Sequence, residues 1–89
     1  MIVEKATIIN KLGLHARAAS KFVSTAQAYS ANITVRVGDR SANGKSIMAM
    51  MVLQGVPGTE LEIYCEGDDE EDACQAIVSL INDRFGEEE

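Results

Sequence analysis

The sequence predicts an α+β fold, a four-stranded antiparallel sheet with three helices on one face. Three observations lead there. Apolar and polar residues alternate in four short stretches, interleaved with two amphipathic helical patterns and one short apolar run, in the order β-α-β-β-α-β-α. Alternation this strict buries one face of each strand, so helices cover one side of the sheet and water the other. A right-handed crossover makes the first two strands parallel, and inserting the last strand between them gives the order 1-4-2-3. Periodicity alone leaves that order open.

Each element has its own signal. Ile2, Ala6 and Ile8 alternate with Val3, Lys5 and Thr7 in a first strand. Residues 10–14 lack periodicity, and Gly13 permits a sharp turn into a helix from Ala16 to about Tyr29. Along that helix Ala19, Phe22, Val23 and Ala26 form a core stripe, while Ala16, Ser20 and Ser24 form a small, polar stripe facing away from it. Ile33, Val35 and Val37 mark the second strand, and Gly38-Asp39 turns the chain into a weaker strand from Arg40 to Asn43. Asn43-Gly44 is a competing turn signal. Ser46 is placed to cap a short helix from Ile47 to Leu53, ended by Gly55 and Pro57-Gly58. Leu61, Ile63 and Cys65 alternate with Glu60, Glu62, Tyr64 and Glu66 in the best strand of the chain. Asp68 to Asp72 open a last helix whose apolar stripe is Ala73, Ala76, Ile77, Leu80 and Ile81, with Gly86 as its stop.

Composition narrows the classes of function. With 89 residues, the chain is expected to form one domain over 1–89. Two cysteines and one histidine make no credible metal site, and Cys65 and Cys74 read as core thiols. No secretory signal opens the chain, and the apolar run from Ile47 to Leu53 is too short to span a bilayer, so a cytoplasmic protein is expected. The net charge of −6 argues against nucleic acid. Its distribution says more: from Glu60 onward twelve acidic residues face Arg84 alone, whereas before Glu60 seven basic residues face Glu4 and Asp39. The basic half suits an anionic group or an acidic partner surface.

Gly38 to Ser46 resembles a P-loop, but five residues lie between its glycines where the motif has four. Asn32-Ile33-Thr34 is a chance match to a glycosylation acceptor. The acidic residues fall in solvated helix-start and tail positions, so no Ser–His–Asp or paired-carboxylate arrangement is expected.

Gly13-Leu14-His15-Ala16-Arg17 is the one stretch that points to chemistry. His15, the only histidine, and Arg17 stand at a helix start, whose free N–H groups and dipole favour an anion such as phosphate. A surface or structurally satisfied histidine is the plain reading; a phosphoryl-accepting histidine is the functional one. In the short helix, Ile47, Met50 and Leu53 have core spacing, while Met48 and Met51 are adaptable contacts for a partner.

Gly13-Leu14-His15-Ala16-Arg17, Asn43-Gly44-Lys45-Ser46-Ile47-Met48 and Glu66-Gly67-Asp68-Asp69-Glu70-Glu71 together resemble the HPr family, histidine-containing phosphocarriers of the bacterial phosphoenolpyruvate-dependent phosphotransferase system. The resemblance covers essentially the whole chain. It implies an open-faced β-sandwich in which His15 takes a phosphoryl group on Nδ1 from enzyme I and passes it to an enzyme IIA domain. It further implies that Arg17 assists at the phosphoryl group and that Ser46 is, in some relatives, the target of a regulatory kinase. The chain departs from the family motif at Ala18, where proline is usual. Alanine keeps an N–H that proline lacks.

On this reading the backbone N–H groups of Ala16, Arg17 and Ala18 bind phosphate, and the docking face comprises Ala16, Ser20, Ser24, Ile47, Met48 and Met51. The carrier is expected to be a monomer that needs no cofactor and no metal and is not itself an enzyme. Two rival functions are a carrier of a nitrogen-regulatory branch and a regulatory module that binds its partner non-covalently. The second predicts that His15→Ala is harmless.

Overall fold

The computed structural model describes residues 1–89, in the order β1 (Ile2–Thr7), α1 (Ala16–Gln27), β2 (Asn32–Val37), β3 (Arg40–Asn43), α2 (Ile47–Val52), β4 (Glu60–Glu66) and α3 (Glu70–Asn82). A single 3-10 turn, Arg84–Gly86, follows α3. The four strands form one antiparallel sheet in the order β1-β4-β2-β3. This is the expected order, which periodicity alone does not fix; the register supplies a reason for it. On the wet face Lys5 and Arg36 flank Glu62 from either side, so the most acidic strand lies between two basic neighbours.

The inward faces of β1, β2 and β4 close against the three helices in one core of 22 buried apolar residues. The core stripe of α1 is buried throughout, and Ala18 joins it. Cys65 and Cys74 are free thiols buried in this core, and burial, followed by the neighbouring Cys74, pushes the Cys65 thiol up to about 12. Such a thiol is protonated and inert at neutral pH. No helix is long and apolar enough to cross a membrane.

Three element ends differ from the sequence expectation. Helix α1 stops at Gln27, two residues short of Tyr29, because the N–H groups of Ala28 and Tyr29 bond to carbonyls three residues back and tighten the last turn. Helix α2 ends without help from a glycine: Gln54 takes the left-handed conformation at φ 55°. Gly55 serves packing instead, since a Cβ there would lie 2.5 Å from Ile8 Cδ1. Helix α3 ends at Asn82, well before Gly86, and positive φ at Arg84 and Phe85 turns the Phe85 ring fully into the core. Left-handed backbone at two non-glycine residues costs about 1–3 kcal/mol each, and burying a phenylalanine returns about as much as one of them.

At the start of α3 the acidic run does more than complement the helix dipole. Asp69 occupies the N-cap position without capping; its carboxylate oxygens accept the N–H groups of Ser30 and Ala31, both at 2.8 Å, and so tie the α1–β2 loop to α3. These bonds, Ser30's first, hold the Asp69 carboxyl below the usual aspartate range. A depressed carboxyl stabilises the fold above its unfolded value, near pH 4, and that contribution is lost as pH falls through the depressed folded value. Asp69→Asn should therefore lower stability at neutral pH and flatten the acid limb of the unfolding profile below about pH 4, measured by circular dichroism. An acid limb as steep as the wild type's would reject the clamp.

Candidate functional site

His15 is the N-cap of α1. Its backbone is extended (φ −76°, ψ 179°), and Nδ1 accepts the Arg17 N–H at 3.3 Å, a long bond for a cap. The helix start is fixed from behind. Gly13, at φ 68°, turns the chain, and a Cβ there would come within 2.5 Å of the Gly55 carbonyl oxygen; that oxygen accepts the Leu14 N–H at 2.7 Å. The Ala16 and Ala18 N–H groups have no acceptor within the chain. The Arg17 side chain is exposed and free of ion pairs. A guanidinium without an ion pair and a helix start with unpaired N–H groups thus border the same hollow as the imidazole, at the positive end of the helix dipole.

Sequence reasoning missed two residues at this site. Glu87 comes back across the molecule to put Oε2 at 2.5 Å from His15 Nε2, with the side chain only 14% exposed. Its other oxygen accepts Asn10 Nδ2 at 2.9 Å, and the same Nδ2 bonds the Gly13 carbonyl at 2.7 Å. Asn10 is fully buried. Partial burial works against the charge on Glu87, but the bonds from Asn10 and His15, together with the charge of nearby Lys21, hold its carboxyl below the ordinary glutamate range. The expectation that the acidic tail is only solvated is therefore overturned: one of its carboxylates is a direct partner of the histidine. The cause is tertiary, because the buried Phe85 directs the tail toward α1, where Lys21 Nζ holds the Phe85 carbonyl at 2.7 Å. Lys11, Leu12, His15, Ala16, Arg17 and Glu87 to Glu89 line one open hollow.

The surface beside it matches the sequence reading in part. Ala16, Ser20 and Ser24 are exposed on α1. On α2, Met48 is 74% exposed and Met51 40%, whereas Met50 and Leu53 are buried. Ile47 had both core spacing and a place on the docking face; it is 42% exposed, outside the core, because a helix of six residues turns one stripe only inward. Leu12, Val52 and Val56, which no motif marked, are also exposed. No group of three or more His, Cys, Asp or Glu side chains is arranged to hold a metal ion.

Comparison with known proteins decides the family. Residues 2–83 match the family model PTS-HPr, described as the PTS HPr component phosphorylation site. This chain belongs to the HPr family of phosphocarrier proteins. It is 52% identical over 84 residues to phosphocarrier protein HPr of Pseudomonas aeruginosa, covering 93% of each chain. It is 46% identical to that of Neisseria meningitidis serogroup A over the full length of both. The crystal structure of HPr-C-His from Thermoanaerobacter tengcongensis superposes with a TM-score of 0.96 at 45% identity, covering both chains completely. The fold is the open-faced sandwich of this family.

Ser46 meets the local role the sequence assigned to it. Its hydroxyl accepts the Ala49 N–H at 3.3 Å and caps α2. Removing such a cap costs about 1 kcal/mol, so Ser46→Ala should lower the melting temperature by about 4–8 °C in a domain of this size. An unchanged melting curve would show that the bond contributes nothing.

Proposed function

We propose that His15 accepts a phosphoryl group on Nδ1 from enzyme I and passes it to an enzyme IIA domain, so that the chain works in the cytoplasm as a carrier and catalyses no reaction of its own. On this reading residues 1–89 are one phosphocarrier domain, acting as a monomer without cofactor or metal. The observation that carries it is the bond from the Arg17 N–H to Nδ1 at the start of α1, where the neighbouring Ala16 and Ala18 N–H groups have no acceptor. A neutral imidazole supplies the attacking lone pair without a separate base. Once phosphorylated, Nδ1 no longer accepts the Arg17 N–H, and the phosphoryl oxygens take over as acceptors of the Ala16, Arg17 and Ala18 N–H groups. Transfer of this kind rests on positioning and charge stabilisation, which the helix start and the Arg17 guanidinium provide. Ala16 and Arg17 are exposed and present the accessible N–H groups, while Ala18 is fully enclosed and its N–H lies behind them.

The exposed Ile47, Met48 and Met51, with Ala16, Ser20 and Ser24, support a docking face shared by successive partners. Methionines suit a surface that fits more than one of them. Ser46 borders that face, and a kinase acting there would regulate docking.

Incubation with phosphoenolpyruvate and enzyme I, followed by mass measurement, tests the reading. One acid-labile, alkali-stable phosphate should appear, and His15→Ala should abolish it; label persisting in that variant would sink the assignment. Arg17→Ala should slow transfer roughly tenfold to a few hundredfold, the equivalent of one charge-assisted bond of about 1.5–3 kcal/mol, with little change in melting temperature.

A negative charge at residue 46 suits the start of α2 but lies beside Ile47 and Met48, where it disturbs an apolar contact and repels an acidic partner. Ser46→Asp should therefore weaken acceptance from enzyme I while the circular dichroism spectrum stays the same. Wild-type transfer in that variant would reduce Ser46 to a helix cap and remove α2 from the docking face.

A further inference from the structure

The contact behind His15 lies outside the residues matched by the family model, which end at 83. Both ring nitrogens have partners of defined sense. Nδ1 faces an N–H donor, that of Arg17, and so carries no proton in the neutral ring. Nε2 faces a carboxylate oxygen, that of Glu87, and so carries the proton and donates it. The carboxylate is itself immobilised. Asn10 Nδ2 holds its second oxygen, and because Nδ2 serves two acceptors, the orientation of the buried Asn10 amide is fixed at the expense of an Oδ1 that has no donor. An orphaned buried carbonyl is unfavourable, and the opposite amide orientation would set Oδ1 against two acceptors. Beyond Glu87, Lys11 N–H donates to the Glu89 carbonyl at 2.5 Å and Lys11 Nζ pairs with the Glu89 carboxylate at 3.4 Å.

We propose that Glu87 is a positioning residue for phosphoryl acceptance, holding His15 in the Nε2–H form and stabilising the positive charge that the ring gains as Nδ1 attacks. The inference rests on His15 as the acceptor. In the step, the Nδ1 lone pair forms the N–P bond while the donor's bond to phosphorus breaks. The electron pair of the broken bond leaves on the donor atom, and the Nε2 proton stays where it is. The ring passes from neutral to cationic without losing or gaining a proton. A fixed carboxylate at Nε2 therefore stabilises the charge as it forms, the service that a buried carboxylate performs for a histidine base in hydrolases. Lys21 lies near Glu87, Lys11 is paired with Glu89, Glu88 shares the hollow, and Arg17, which has no ion pair, is left for the phosphoryl group.

The test uses the full chain as wild type, Glu87→Gln and Glu87→Ala, with 15N-labelled histidine. Glutamine keeps an acceptor oxygen but loses the charge; alanine loses both. Wild type at pH 8 should show a low-field Nε2–H proton in slow exchange with water, and Glu87→Ala should lose that signature. The second-order rate constant for acceptance from phosphorylated enzyme I should fall about three- to tenfold in Glu87→Gln and at least as far in Glu87→Ala. Melting temperatures should stay within about 4 °C, which separates positioning from folding. A wild-type rate in both variants, or a wild-type Nε2–H signal in Glu87→Ala, would overturn the role. If wild-type His15 takes up no phosphate, the carrier reading falls together with it; normal uptake by the wild type alongside unaffected variants removes Glu87 alone.

Discussion

The close approach of Gly13 to Gly55 is the constraint on which the site depends. Only a residue without a Cβ can sit 2.5 Å, by virtual Cβ, from the Gly55 oxygen and still take φ 68°. The contact sets the first residue of α1, and with it the direction of the N–H groups around His15. It also pins the loop leaving α2 against the start of α1, since the Gly55 oxygen accepts the Leu14 N–H. Both glycines are needed, for different reasons: Gly13 for its conformation and its closeness, Gly55 for closeness alone, against Ile8 and Leu14.

Charge at the site is a balance of near neighbours. The acidic half of the sequence does not stay apart from the basic half; the tail carries three glutamates back to the hollow that holds His15. Lys11 and Arg17 line the same hollow, and the charge of Lys21 acts on Glu87. Glu89 is paired with Lys11, and Glu87 is bonded to Asn10 and His15, so neither presents a free charge to an incoming anion. Arg17 remains the cation with no partner of its own.

Period-two alternation made the strands legible, because a sheet wet on one side writes its two faces into the sequence. The stripe of α1 was legible for the equivalent reason at period 3.6. His15, Arg17 and Ser46 could be found because each stands at a helix start, where residue type and backbone geometry are locally coupled. Asn10, Glu87 and Phe85 could not be found. Their roles arise from contacts across 64 to 77 positions of sequence, and Phe85 reaches the core through a left-handed turn that no glycine or asparagine announces. Ile47 had both a core and a docking reading, because periodicity says which residues share a stripe, but in two turns of helix it does not say how wide that stripe is; its exposure favours the second.

Histidine is an unusual choice for an N-cap. Serine or aspartate would satisfy a first-turn N–H with a shorter bond, and that preference is worth about 0.5–2 kcal/mol. Here the cap bond is 3.3 Å long, and two neighbouring amides have no acceptor in the chain. The start of α1 is thus less stable than the fold allows, and the deficit lies at the atoms that would receive a phosphoryl group. Three anionic oxygens brought to those donors would supply the missing acceptors, so a phosphoryl group on His15 would complete the helix start instead of straining it. A carrier needs this balance. A helix start fully satisfied beforehand would give the phosphoryl group nothing to bind, whereas N–H groups left partly unpaired make the accepted group welcome without a deep pocket, leaving it exposed for the next partner to remove.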